Sequence, residues 1–235
     1  MRGGFPLSFL AASEEDSSVW RENFIRTFLQ RDLPQFGVSI SESTMRRFWT
    51  MLAHSHGQVL NSSRLAGSMG LSDKTIRSYI DVLTATYMVR QLPPWYENLK
   101  KRQVKSPKIY LTDTGLLHQL LGIPEYDSLQ AHPQVGSSWE SFVIEQILRH
   151  MNGEQGYFWS TYSGAELDLL LLIDGRRIGI ECKYSEAPKA TKSMHSALHH
   201  LHLDILYIAY PGADDFHITD KIAVRSLPSL LTECS

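Results

Sequence analysis

Apolar residues at positions 20, 24, 25, 28 and 29 recur at helical spacing through residues 18–33, and Pro34 is expected to end that helix. Ser43 to His54 repeats the pattern with Met45, Phe48, Trp49 and Leu52. Leu65 to Gly70 and Thr75 to Leu83 predict two more helices, parted by Gly70-Leu71-Ser72. The period then changes. Tyr87 to Leu92 alternates and predicts a strand that Pro93-Pro94 breaks. Lys108 to Thr112 predicts a second strand, and Asp113 to Gly122 a short helix ending at its glycine.

Residues 123–135 hold two prolines and little periodicity, which places a domain boundary there and divides the chain into 1–122 and 123–235. Past it, apolar positions 139, 142, 143, 147 and 148 predict a long helix over Ser137 to Met151. Strands are expected at Gly156–Thr161, Leu167–Ile173, Arg177–Lys183, Ile205–Tyr210 and near Lys221–Arg225, with a helix over about 190–202. Strands interleaved with helices predict an α/β domain with a mixed sheet, behind an N-terminal region that is mostly helical.

The stretch from Leu65 to Ile80 fits a helix-turn-helix. Ala66 supplies the small residue where two helices cross, and Gly70 the left-handed turn. Leu71, Ile76, Tyr79 and Ile80 supply the apolar lock, and Ser72 can cap the second helix. Lys74, Thr75, Arg77 and Ser78 then lie near its exposed start, where groove-reading residues sit. The strands at 87–92 and 108–112 bracket a basic stretch containing Lys100, Lys101, Arg102 and Lys105, in the manner of a winged helix. Such modules dock DNA or proteins, and a phosphate-binding surface is told apart by affinity that falls steeply with salt.

The chemistry candidates lie in the apolar hairpin ELDLLLLIDGRRIGIECKY, residues 166–184. Asp174-Gly175 marks a tight turn. Glu181 and Lys183 are two apart on the returning strand and share a face, and pairing around the turn brings Asp168 opposite 181–183. Two carboxylates, Asp168 and Glu181, can hold Mg²⁺ in oxygen coordination. The metal polarises a phosphoryl group and activates a water, while Lys183 positions that water or stabilises charge. The competing reading is a plain Lys183–Glu181 salt bridge. The order D…ExK resembles the PD-(D/E)xK nuclease superfamily, and Glu140 on the preceding helix matches the extra acid often found there. Leu167 stands where the superfamily's name has proline. The resemblance implies a restriction-endonuclease-like domain.

Composition narrows the classes. The chain of 235 residues is 43% hydrophobic and 20% charged, enough to bury a real core. No apolar run approaches the roughly 20 residues of a membrane helix, and the start lacks the apolar core of a signal peptide. Two cysteines, Cys182 and Cys234, in no CxxC pattern suggest a reduced, cytoplasmic protein. The net charge of −2 hides an asymmetry: 15 Lys+Arg against 9 Asp+Glu through Lys108, then 8 against 16. A basic half and an acidic half suggest different partners. His195 and His199 share a helix face as zinc ligands do, but no HExxH or third ligand accompanies them, and a polar helix face is the simpler reading. No GxSxG or Cys–His pairing suggests covalent catalysis.

Across nearly its whole length the chain resembles the C-terminal region of a bacterial and archaeal family of AAA-type ATPases. The matching stretches are GGFP from Gly3, FLQRDL from Phe28, LAGSMGLS from Leu65, KSPKIYLTDTGL from Lys105, ESFV from Glu140, GAELD from Gly164 and IECK from Ile180. The lysine-led KIYLTDTGL from Lys108 is the most specific. Leu7 stands where a glutamate often follows the proline. The resemblance implies a winged helix and a nuclease-related domain of unknown function behind a P-loop module. No GxxxxGK[ST] occurs in this chain, so the match at Gly3 implies a sequence that begins where the ATPase ends. The expectation is a nucleic-acid-associated protein and a possible magnesium-dependent DNA phosphodiesterase. The alternative is a non-catalytic module that docks DNA or protein for an ATPase.

Overall fold

The computed structural model describes residues 1–37, 40–96, 104–151 and 155–234. The chain forms two compact units, and each takes two stretches of sequence. The first contains Met1–Gln91 and Ile109–Ser138, the second Leu92–Lys108 and Trp139–Ser235.

In the first unit, α1 (Pro6–Phe9) leads to α2 (Glu14–Thr27), whose cap Ser13 accepts from the Asp16 N–H. The helix then widens through one π turn, Phe28–Asp32, where the Leu33 N–H reaches back to the Phe28 carbonyl, and continues as α3 (Leu33–Gln35). The expectation that Pro34 ends the helix therefore needs correcting. Pro34 sits at the start of α3, where a missing N–H is tolerated. α4 (Glu42–His54) packs Met45, Phe48, Trp49 and Leu52 into the core, as its spacing predicts. β1 (Gln58–Val59), α5 (Ser62–Met69) and α6 (Asp73–Ala85) follow. Gly70 between these helices is left-handed at φ 67°, and Ser72 caps α6 through the Thr75 N–H at 3.1 Å. Tyr87 is also left-handed (φ 60°), so β2 (Val89–Leu92) begins two residues later than its alternation suggests. β3 (Lys108–Leu111) is buried throughout and lies between β1 and β2 in a three-stranded sheet.

α7 (Thr114–Leu120) explains why the TDTGL run reads as it does. Asp113 caps it, one oxygen accepting from the Leu116 N–H (2.8 Å) and the other from the Gly4 N–H (2.6 Å). A Cβ on Gly115 would stand 2.4 Å from the Arg2 carbonyl oxygen, so only glycine lets the N-terminal strap lie this close. The stretch 123–135, expected to be irregular, holds the short helix α8 (Tyr126–Gln130).

In the second unit, the part of α9 (Val135–His150) from Trp139 onward precedes β4 (Tyr157–Ser160), β5 (Glu166–Ile173) and β6 (Arg176–Cys182). Then come α10 (Lys192–His200), β7 (Ile205–Tyr210), β8 (Phe216–Thr219), β9 (Ile222–Ser226) and α11 (Leu227–Glu233). The sheet order is β4-β5-β6-β7-β9-β8, with β6, β7 and β9 parallel and the remaining pairs antiparallel: a mixed sheet. Pro94 bridges to Phe158, and the Val104 N–H donates to the Ser160 carbonyl, so both ends of the inserted stretch lie along β4. Met194, Ala197 and Leu201 join Leu167, Leu170, Leu206, Ile208 and Val224 in one apolar cluster.

Among the described residues, no helix is long and apolar enough to cross a membrane.

Candidate functional site

The β5–β6 turn is built from Asp174 (φ 49°) and Gly175 (φ 78°), the two positive φ values that a two-residue hairpin matching strand twist demands. The register runs from Ile173↔Arg176 to Leu169↔Ile180. Continued by one pair, it sets Asp168 opposite Glu181, and directly opposite residues of an antiparallel pair share a face. Asp168 is 6% exposed and Glu181 3%. Glu166 at the strand's start is exposed.

Asp168 is held from two sides. Its Oδ2 accepts from the Cys182 N–H at 2.9 Å. Its Oδ1 lies 3.4 Å from the Nζ of Lys108, which also reaches Glu140 Oε1 on α9 at 3.0 Å. Lys108 is itself buried, and its ammonium stands 5.7 Å from the centre of the Phe158 ring, within cation–π range. Burial disfavours its charge. Glu140, then Asp168 and Glu166, outweigh that and hold its pKa above the usual lysine range.

Lys183, just past β6, places its Nζ 2.7 Å from Glu181 Oε1. The other oxygen of Glu181 is buried and has no hydrogen-bond partner among the described residues. Burial first, and then the charge of Asp168, push the Glu181 carboxyl up to about 8 against the opposing pull of Lys183. Glu181 in turn raises Lys183, against that lysine's own burial.

Glu140, Asp168, Glu181 and Lys183 thus gather around one end of the hairpin, together with a fifth residue that sequence reasoning missed. Lys108 lies 60 positions before Asp168. Its signal was a lysine opening a strand otherwise made of Ile, Tyr and Leu. An aliphatic stem can run through such a core, but its ammonium then needs an acid to meet.

The donor set does not fit a divalent ion in this arrangement. Such an ion takes oxygens at about 2.0–2.6 Å, and one oxygen each of Glu140 and Asp168 already binds an ammonium. Two cations on the same two oxygens would repel strongly in so buried a place. Among the described residues no group of three or more His, Cys, Asp or Glu side chains could hold a metal ion, the α10 histidines included.

In the first unit, Lys74, Arg77 and Ser78 on α6 are exposed. Arg77 pairs with Asp73 one turn back at 2.7 Å. Thr75 is committed to the cap, its N–H and hydroxyl both bonded to Ser72. Lys105, in the second unit, is exposed, and its carbonyl accepts from the Tyr96 hydroxyl. Lys100, Lys101 and Arg102 lie outside the described residues.

Two family models match the chain, both domains of unknown function: DUF8612 over residues 1–127 and DUF4143 over residues 135–230. An uncharacterized protein of Mycobacterium tuberculosis is 48% identical over 232 residues, covering 99% of this chain and 53% of its own length. An uncharacterized protein of Mycobacterium bovis matches with the same identity and coverage. The chain therefore spans about half the length of the curated relatives it matches. No solved structure matches.

Proposed function

The chain belongs to the DUF8612 family, and from its geometry we propose a nucleic-acid-docking module in which a restriction-endonuclease-like unit serves as scaffold and not as phosphodiesterase. The observation that carries the docking half is α6. Behind the left-handed Gly70, its first two turns turn Lys74, Arg77 and Ser78 to solvent while Ile76 and Ile80 lock it to the core. The order α4, β1, α5, α6, β2, β3, with β3 central in the sheet, supports a winged helix, whose second helix of the pair reads a groove.

The neutralised acid cluster supports the non-catalytic half. Glu140 and Asp168 are matched by Lys108, and Glu181 by Lys183 at 2.7 Å, while burial beside Asp168 raises the Glu181 carboxyl above the usual carboxylate range. A magnesium-dependent phosphodiesterase is the second reading. It is favoured by the shared face of Asp168 and Glu181 and by the unpartnered Glu181 oxygen, and it requires Lys108 to give up its carboxylates. The resemblance names an AAA-type ATPase module as partner, and relatives about twice the chain's length leave room for one.

Titration of a labelled duplex with the full chain, at several salt concentrations, tests docking. Affinity should fall steeply as salt rises; no measurable binding at low salt, or affinity flat in salt, removes the nucleic acid and leaves a protein partner. Incubating the same duplex with Mg²⁺ or Mn²⁺ tests the rest. Intact DNA is expected. Cleavage by the wild-type chain that Asp168→Ala and Lys183→Ala each abolish would restore the phosphodiesterase.

A further inference from the structure

The hairpin's carboxylates raise a question that the docking surface does not touch. Buried carboxylates must be paired or coordinate a metal, and this cluster contains a lysine delivered from a distant strand. Lys108 is fixed on every side: its backbone begins the buried strand β3, Glu140 and Asp168 take its ammonium at 3.0 and 3.4 Å, and Phe158 lies 5.7 Å away. Asp168 is oriented for this contact, because the Cys182 N–H holds Oδ2 and leaves Oδ1 for the lysine. Glu181, meanwhile, keeps one buried oxygen with no hydrogen-bond partner among the described residues. Donors for a divalent ion are present in kind, yet the position between Glu140 and Asp168 is taken.

We infer that Lys108 is the resident cation of this cluster, standing where a divalent ion would otherwise bridge Glu140 and Asp168, so that the chain takes up no divalent ion there while the ammonium is in place. This rests on the non-catalytic half of the proposed function and is independent of DNA binding. Two consequences follow from charge alone. Removing the ammonium leaves the buried Asp168 carboxylate and the half-buried Glu140 carboxylate without their counter-charge, which destabilises the fold. The same removal frees the oxygens of Glu140 and Asp168 that now bind the ammonium, and a divalent ion that binds them in the folded form restores stability by mass action.

The experiment uses the full chain with MnCl₂ as the probe. Calorimetry and Mn²⁺ electron paramagnetic resonance measure uptake, and urea unfolding measures stability. Wild type should show no saturable Mn²⁺ site. Lys108→Met, which keeps the stem and loses the charge, should unfold at lower urea, bind one Mn²⁺, and recover its midpoint when Mn²⁺ is added. Lys108→Met combined with Asp168→Asn should lose the Mn²⁺ site. One Mn²⁺ bound by wild type and abolished by Asp168→Asn overturns the inference. So does a folded Lys108→Met chain that takes up no Mn²⁺.

If Lys108→Met folds neither with nor without Mn²⁺, acetylation of wild-type lysines followed by mass spectrometry decides. Lys108 should react at least about tenfold more slowly than the exposed Lys74, because its amine is buried and held as an ammonium by Glu140 and Asp168. Mn²⁺ should leave that rate unchanged; acceleration by Mn²⁺ means that the metal displaces the lysine and overturns the inference. Failure here is separable from failure of the proposed function. Wild-type Mn²⁺ uptake without DNA cleavage removes only the inference, cleavage removes the scaffold reading, and absent DNA binding removes neither the lysine nor its site.

Discussion

α6 of the first unit and the hairpin end of the second handle charge in opposite ways. The first leaves Lys74 and Arg77 in water on α6, tied at most to a neighbour one turn away. The second draws Lys108, Asp168 and Glu181 inside and makes them answer to one another. Charges in water cost little and act at a distance, which suits recognition of a charged partner. Buried charges are costly to strand, so each fixes the geometry of the rest. The same residue types therefore serve contact in one place and architecture in the other.

The sharpest way to break that contrast is Asp168→Ala. It removes one of the two carboxylates on the Lys108 ammonium and leaves the Cys182 N–H without its acceptor. Breaking a buried pair from one side costs about 3–5 kcal/mol, and urea unfolding should show a loss of that order. A loss no larger than that of an exposed substitution means that the ammonium escapes to water and the cluster is not closed. Next is Gly115→Ala in the first unit, where the added methyl meets the Arg2 backbone at 2.4 Å. Backbone cannot swing aside as a side chain can, so a loss of about 1–3 kcal/mol is expected from overpacking. An unchanged midpoint means that the N-terminal strap does not pack there.

The first unit has buried titratable groups of its own, and these give the contrast a pH axis. His56 and His118 are held neutral, burial being the main cause, with pKa values lowered from 6.5 to about 3 and about 4. His56 Nδ1 accepts from the Leu111 N–H, and His118 Nε2 bonds the Ser138 hydroxyl. Below pH 6.5 the unfolded chain takes up protons that these folded rings refuse. Their contribution to stability is complete above about 6.5 and is lost as pH falls toward the folded values, by up to about 1.4 kcal/mol per pH unit for each ring. Urea midpoints between pH 7 and 4.5 should fall less steeply in His56→Gln than in wild type. Equal slopes would mean that His56 takes up its proton in the folded chain.

Much of this was legible in the sequence, for reasons that mark where legibility stops. Helical spacing found α4 and α6 because one apolar stripe on a polar helix is a local signal. Asp174-Gly175 fixed the hairpin, and with it a register that runs to Leu169↔Ile180 and brings Asp168 to the level of Glu181, because a two-residue turn dictates register. The π turn at 28–32 was not legible, since nothing in local spacing separates one extra residue per turn from a continuing helix. β1, two residues long, is defined by its place beside β3 and carries no period. Lys108 was visible as part of the KIYLTDTGL run but not as a member of the site. Its role depends on a return to the second unit that no spacing rule reports. The reason for the run's glycine was likewise hidden, because it lies in a backbone more than a hundred residues away.

The smallest expected effect on stability belongs to Arg77, and it is the one that separates the units most cleanly. Arg77 and Asp73 form an exposed pair one helical turn apart, with side chains 60% and 41% accessible. Water screens such a pair, so Arg77→Gln should leave the urea midpoint within error of wild type. Its effect should appear in binding instead. If α6 faces phosphates, Arg77→Gln and Lys74→Ala should each weaken duplex affinity at low salt and reduce the slope of log affinity against log salt by about 0.9 per lost contact. A midpoint that drops would move Arg77 among the architectural charges of the second unit. An unchanged midpoint with an unchanged salt slope would leave α6 as a surface for an uncharged or protein partner, and the contrast would then be one of burial alone.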